Sequence, residues 1–213
     1  MFVLPDDLPL ELTPFAFLVG TWEGVGVISD RFRNNSDGPA GETAPAEVEF
    51  RQRVTFSHRG QNFLTYSATS WLLDEAQTPL PSETGFWRLV RRVEPADHGP
   101  GLLPGSGEPT IKTRDDLEKL RNKAGGFNIS ASILHPSGIS EFYTGQIKGA
   151  RVDLQTTQGL LPANLANWNP IGYAERMFGQ VEGALLWVWE VRPAGQRGAD
   201  LVPMASARLE RVE

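Results

Sequence analysis

Gly20-Thr21-Trp22-Glu23-Gly24-Val25-Gly26 is the stretch of this sequence that decides the fold. Glycine weakens an apolar strand unless the backbone must bend there or come close to another segment. Two of these glycines lie inside an apolar run. The first strand of a closed β-barrel has to bend, and glycine permits such a bend. Trp22 can fill the barrel floor, because its large ring needs a partner only for one N–H group. The stretch therefore predicts a barrel that contains a small molecule.

Apolar and polar residues alternate further along the chain, which is the pattern of strands with one dry and one wet face. In one such segment Val48, Phe50, Val54 and Phe56 alternate with charged or polar residues. Short turns that contain glycine join the later segments, as in an antiparallel meander. About ten strands can be counted, and closing such a sheet removes its edges and leaves a cavity inside. We predict an all-β, about ten-stranded, antiparallel up-and-down β-barrel.

Two segments depart from the strand pattern. Leu10 to Val19 is apolar and predicts a short N-terminal helix or turn that covers one end of the barrel. Glu94 to Gly126 is a long excursion, rich in proline and glycine before it becomes charged, and Thr113 can cap one or two helical turns there. A lid, a partner contact and a solvated loop are all compatible with such a segment. We expect one domain over residues 1–213, with a flexible excursion at 94–126.

Composition excludes several classes of function. The chain has 20 Lys and Arg against 26 Asp and Glu, a net charge of -6, and no sustained basic run, so no nucleic-acid partner is expected. The chain contains no cysteine, which excludes disulfide bonds and thiolate chemistry. No signal peptide and no run of about 18 apolar residues is found, which predicts a cytoplasmic protein without membrane insertion. Hydrolase elbows, zinc-protease motifs and P-loops are also absent, so an enzyme is not expected.

Four ordered segments resemble proteins of the nitrobindin type, within the group of barrels similar to lipocalins and fatty-acid-binding proteins. Gly20, Trp22, Gly24 and Gly26 match the signature G-x-W-x-G-x-G of that family. Ser82 to Arg88 resembles the E-x-G-x-x-R motif of the family. Pro136 to Glu141 resembles a later turn and strand, and Pro203 to Leu209 resembles the C-terminal strand. The resemblance spans nearly the whole chain and implies the barrel fold predicted above.

Haem-binding members of the family carry a C-terminal P-H-L-S-A-x-L segment, whose histidine holds ferric haem iron for chemistry on nitric oxide and peroxynitrite. Alignment with Pro203-Met204-Ala205-Ser206-Ala207 places Met204 where those members have the histidine. A thioether is a soft, neutral donor that is poorly suited to hold ferric iron alone. His58, His98 and His135 fall in predicted turns, in the excursion or at a strand end, where solvated side chains are expected. The resemblance therefore implies a member of the family with no haem and no metal.

A small polar group forms the candidate binding site. Glu83, Arg88 and Glu141 could meet inside the barrel and orient the polar end of a ligand, although an outward ion pair is equally compatible. Arg208 could receive a fatty-acid head group or simply face solvent. Met204 would contribute flexible apolar surface. Strand alternation does not show which face of these strands is inside.

These observations predict a non-enzymatic carrier or sensor for a hydrophobic or amphipathic small molecule, such as a fatty-acid-like lipid. Two alternatives stay open. One is a ferric haem protein that acts on nitric oxide or peroxynitrite, as a peroxynitrite isomerase, through Met204 or an unexpected histidine. The other is a protein-interaction module that uses the excursion at 94–126. The sequence leaves the ligand and the oligomeric state open.

Overall fold

The computed structural model describes residues 7–30, 46–97, 103–160, 171–196 and 198–212, with side chains for all of these except 158–160. Ten antiparallel strands form a closed barrel in which neighbours in sequence pair and the last strand pairs with the first. The predicted ten-stranded up-and-down barrel is confirmed. The strands are β1 (Gly20–Ser29), β2 (Glu47–Ser57), β3 (Leu64–Leu72), β4 (Pro79–Leu89), β5 (Phe127–Leu134), β6 (Ser140–Lys148), β7 (Arg151–Leu160), β8 (Ile171–Val181), β9 (Ala184–Pro193) and β10 (Val202–Arg211).

Gly24 and Gly26 let β1 come close to β10, the strand that closes the barrel. A Cβ atom at Gly24 would overlap the carbonyl oxygen of Arg208, and one at Gly26 would overlap that of Ser206. Because only glycine leaves this space empty, the two residues permit the contact that joins the first strand to the last. Close approach therefore explains these two glycines of the signature.

One end of the barrel, called the floor end, is closed by a 3₁₀ helix at Leu10–Phe15 together with Trp22. The Trp22 ring is fully buried, and its Nε1 donates a hydrogen bond of 2.7 Å to the carbonyl of Leu18. The guanidinium of Arg211 lies 4.2 Å from the centre of the same ring. Both predictions for this end, a short helix within Leu10 to Val19 and a floor filled by Trp22, are confirmed.

The excursion between β4 and β5 contains one short helix, α1 (Arg114–Glu118). Thr113 caps it, because its hydroxyl accepts a bond of 3.2 Å from the backbone N–H of Asp116 while the Asp116 carboxylate accepts from the backbone of Thr113. The predicted helical turn is therefore confirmed. Residues 98–102 of the excursion, including His98, lie outside the described residues. No helix in the described part of the chain is long and apolar enough to cross a membrane.

Aromatic side chains fill the middle of the barrel. Phe56 packs against Tyr66, Trp87 and Phe178, with ring centres 5.2, 5.2 and 6.2 Å away. These contacts between β2, β3, β4 and β8 tie the walls of the barrel together across its interior. A cavity lies beyond this layer, toward the end opposite the floor, which we call the cavity end.

Candidate functional site

A cavity of about 230 Å³ lies inside the barrel at the cavity end. Its wall is formed by residues of β1, β2, β3, β4, β9 and β10 and by the residue that follows β5. Aromatic and apolar side chains make most of the wall, with a few polar groups among them, which is typical of small-molecule sites. The wall includes Phe50, Gln52, Glu83, His135, Trp187 and Ala205.

Strand alternation separates the predicted site residues into an inner and an outer group. Glu83 lines the cavity, whereas Arg88, five residues further along β4, is exposed on the outer face. Ala205 likewise lines the cavity, and Arg208, three residues further along β10, lies outside with a side chain 51% exposed. An odd spacing along a strand puts two side chains on opposite faces. Of the two alternatives for Arg88 and Arg208, the structure therefore places both side chains outside, and neither meets a ligand in the cavity.

Glu83 does have an arginine partner inside the barrel, but that partner is Arg176 on β8. Arg176 donates two hydrogen bonds to the Glu83 carboxylate, of 2.8 and 2.7 Å, and Tyr66 donates a third of 2.8 Å. Burial alone would raise the pKa of Glu83, but the guanidinium charge and these bonds outweigh it and lower the pKa to about 2. Glu83 is thus an ionised carboxylate whose side chain is only 17% exposed.

Glu141 is joined to the same group through a second tyrosine. Tyr143 accepts a bond of 3.1 Å from Arg176 Nε and donates one of 2.9 Å to Glu141 Oε2. The same carboxylate oxygen lies 3.1 Å from Nε2 of His135. Burial acts to raise the pKa of Glu141, yet the bond to His135 and the charge of Arg176 lower it overall. We call the six residues Tyr66, Glu83, His135, Glu141, Tyr143 and Arg176 the polar cluster.

His135 was expected to be a solvated residue at a strand end, and this expectation is corrected. Its side chain is only 17% exposed and lines the cavity. The reason is its spacing, because His135 continues the inward series Ile129, Ala131 and Ile133 of β5 by two residues. The strand that ends at Leu134 therefore still sets the direction of the side chain that follows it.

Arg176, Tyr66 and Tyr143 were not singled out from the sequence, although one signal was available. Arg176 alternates with the buried residues Ala174 and Phe178 along β8, and so occupies an inward position. An arginine in such a series is expected to need a buried carboxylate. The sequence groups Glu83 and Glu141 with Arg88, whereas in the structure their common partner is Arg176. That these carboxylates orient a ligand stays a prediction.

Gln52 brings a second set of polar atoms to the cavity wall. The indole N–H of Trp187 donates a bond of 2.8 Å to Gln52 Oε1, and Gln52 Nε2 donates one of 3.1 Å to the Ser70 hydroxyl. Since an indole nitrogen can only donate, the amide oxygen must face Trp187. One of the two Nε2 hydrogens is used by Ser70. The other has no partner among the described residues, and Gln52 is part of the cavity wall.

Met204 lies at an irregularity in β10. Pro203 pairs with Glu190 and Ala205 with Trp189, so Met204 is an extra residue between two successive pairs. Its side chain is 6% exposed and packs in the hydrophobic core. Its neighbour Ala205 belongs to the cavity wall, whereas Met204 is not among the described residues that form that wall. The role of Met204 in ligand binding therefore stays a prediction.

A protein-family model matches almost the entire chain. Residues 11–211 match the model of the THAP4-like, heme-binding beta-barrel domain. The fold is also similar to the crystal structure of Rv2717c from M. tuberculosis, with a TM-score of 0.60 over 99% of this chain and 100% of that chain. At 21% sequence identity, this second similarity supports the fold alone.

Curated relatives are similar over the same length. The peroxynitrite isomerase of Leifsonia xyli subsp. xyli is 44% identical over 213 residues, covering 100% of both chains. The peroxynitrite isomerases of Pseudarthrobacter chlorophenolicus and Paenarthrobacter aurescens are 43% and 42% identical, each covering 98% of both chains. The matched lengths span nearly the whole of this chain.

Proposed function

The chain belongs to the family of THAP4-like, heme-binding beta-barrel domains, and from this premise we propose that it holds ferric haem at the cavity and isomerises peroxynitrite. The observation that carries the proposal is the match of 42 to 44% identity to three peroxynitrite isomerases along nearly their entire length. The nitrobindin-type resemblance of the sequence is confirmed by the same family match.

The expectation of a non-enzymatic carrier without haem is wrong. It is overturned by the heme-binding family that the chain matches and by relatives that are named peroxynitrite isomerase. That expectation rested on one aligned position, Met204, and on treating every histidine as a surface residue. The second assumption fails at His135, which lines the cavity.

The chemistry of the cavity wall fits a haem group. His135 offers an imidazole nitrogen, and Phe50 and Trp187 offer apolar ring surface for a flat macrocycle. Carboxylates of the polar cluster lie next to the imidazole and favour a ferric ion. At about 230 Å³ the cavity is smaller than the roughly 300–1,000 Å³ of most ligand sites, so the described residues would enclose a porphyrin only in part.

Isomerisation of peroxynitrite to nitrate conserves every atom and needs no second substrate. Ferric haem, when bound, supplies a Lewis-acidic iron centre for this rearrangement. The protein contributes hydrogen-bond donors for the anion, namely the unused N–H of Gln52 and the hydroxyl of Ser70. The apolar wall excludes water around these donors, which strengthens their bonds to a negatively charged oxygen.

A stopped-flow experiment with a blocked cavity tests this function. Haem-loaded protein is mixed with peroxynitrite, and the rate of peroxynitrite loss and the yield of nitrate are recorded. Ala205→Trp places an indole in the cavity and is expected to reduce the rate to that of buffer, whereas Ala150→Trp, in an exposed turn at the floor end, should leave it unchanged. Equal rates in the two variants, or a wild-type protein no faster than free haemin, would contradict the proposal.

A further inference from the structure

We infer that His135, at the end of β5, is the residue of this chain that binds the haem iron. The inference rests on the proposed haem-binding function and goes beyond it, because it places the ligand on a different strand from the aligned position of Met204. Three observations support it: the position of His135, the hydrogen bonding of its ring, and the charge around it.

The position of His135 is the first observation. Its imidazole is part of the cavity wall, with 17% of the side chain exposed. His58 lies at the opposite end of the barrel, in the turn after β2, where its Nδ1 accepts from the backbone of Gly60. His98 lies outside the described residues. Of the two histidines that the structure describes, His135 is therefore the one that a haem in the cavity can reach.

The hydrogen bonding of the ring is the second observation. Histidines that bind a metal usually donate their other ring N–H to a carboxylate, which fixes the orientation of the ring. Glu141 provides such a carboxylate 3.1 Å from Nε2, and Tyr143 holds the same oxygen at 2.9 Å. Since an ionised carboxylate only accepts, Nε2 carries a proton, and in the neutral ring the lone pair lies on Nδ1. Nδ1 is 3.8 Å from the nearest oxygen of Glu83, too far for a hydrogen bond.

The charge around His135 is the third observation. Glu83 and Glu141 face the imidazole, and Arg176 is the cation that pairs with them, at 2.7 and 3.6 Å. Two carboxylates and one guanidinium leave one negative charge in excess when the imidazole is neutral. A ferric ion bound to His135 would balance this charge in surroundings of low dielectric constant. Met204 offers an uncharged sulfur in an apolar setting and no such balance.

Resonance Raman spectroscopy of the haem-loaded, reduced protein tests the inference without measuring activity. Wild-type protein should show an iron–histidine stretching band that shifts when histidine is labelled with ¹⁵N. His135→Ala should lose the band, recover an iron–imidazole band when imidazole is added, and bind haemin at least about tenfold more weakly. His58→Ala, His98→Ala and Met204→Leu should all keep the band.

The design includes a variant that preserves the fold around the site. His135→Gln can still donate to Glu141 but is a poor iron ligand, so it should lose the band while its near-ultraviolet circular dichroism stays that of the wild type. Persistence of the band in both His135 variants, or its loss in Met204→Leu or His98→Ala, would overturn the inference and leave haem binding intact. A wild-type protein that takes up no haem would instead overturn the proposed function as well.

Discussion

Arg176 on β8 and Glu83 on β4 face each other inside the barrel and share two hydrogen bonds, of 2.8 and 2.7 Å. Their strands are not neighbours in the sheet, so the pair joins two separate parts of the wall beside the cavity. The arginine side chain is 4% exposed, and it also donates to Tyr143. The pair therefore links the stability of the barrel to the geometry of the site.

Removing one member of this pair should be costly. Arg176→Met leaves the Glu83 carboxylate buried without its partner and is expected to lower the free energy of unfolding by about 3–5 kcal/mol in urea titrations. The double variant Arg176→Met with Glu83→Met should recover most of this loss, because no charge remains unpaired. Arg208→Met, at an exposed position, serves as the control and should change stability by less than about 0.5 kcal/mol. A loss below about 1 kcal/mol for Arg176→Met would show that the pair is not buried as described.

The free energy of unfolding should depend on pH through the carboxyl group of Glu83. Its pKa is lowered in the folded protein to about 2 from an ordinary 4.5, so its contribution is fully present above pH 4.5 and disappears as the pH falls toward 2. The free energy of unfolding, measured by urea titration between pH 2 and 6, should fall on the acid side of this window. Glu83→Gln should have a flatter profile in the same window. Parallel profiles for the two proteins would assign the acid sensitivity to other carboxylates.

Gly24 should not accept a side chain. A methyl group in Gly24→Ala would overlap the backbone of β10, and the strain is expected to cost about 1–3 kcal/mol. Gly179→Ala on β8 is a matched control, because the nearest atom to its added carbon would be 3.8 Å away. Thermal unfolding followed by circular dichroism compares the two. If both variants melt alike, close approach to β10 is not what requires glycine at position 24.

Gln52 should matter for catalysis more than for haem uptake. Gln52→Leu removes the amide that can donate to the anion, and the rate of peroxynitrite loss should fall about tenfold or more, since a hydrogen bond to a charged group contributes about 1.5–3 kcal/mol. The variant also leaves the Trp187 indole without its acceptor, so stability is measured alongside the rate. Gln155→Leu, on the outer face of β7, is the control. An unchanged rate at full haem occupancy would remove Gln52 from the mechanism.

The barrel could be predicted from the sequence because its signals are local. Period-two alternation, short turns and the glycines around Trp22 each follow from the chemistry of a few adjacent residues, and all of them point to one closed sheet. The capping box at Thr113 and Asp116 is equally local, and the helix it predicts is present. These features need no knowledge of which strands meet across the interior.

The polar cluster could be predicted only in part because it depends on contacts between distant strands. Arg176 and Glu83 are separated by 93 positions, and nothing in either segment indicates the other. The inward direction of Glu83 follows from its even spacing to Trp87 once Trp87 is known to be inside. The same rule, extended two residues beyond Ile133, would have placed His135 in the cavity wall. Arg88 is near Glu83 in sequence, but its odd spacing from Glu83 puts it outside the barrel.

Titration of the purified protein with haemin, followed by absorbance in the Soret region, tests the central claim most directly. The account predicts saturation at one haem per chain for the wild type and for Ala150→Trp, and no saturable binding for Ala205→Trp, whose new side chain fills the cavity. A wild-type protein without a saturable Soret change, or an Ala205→Trp variant that binds haem as well as the wild type does, would contradict it.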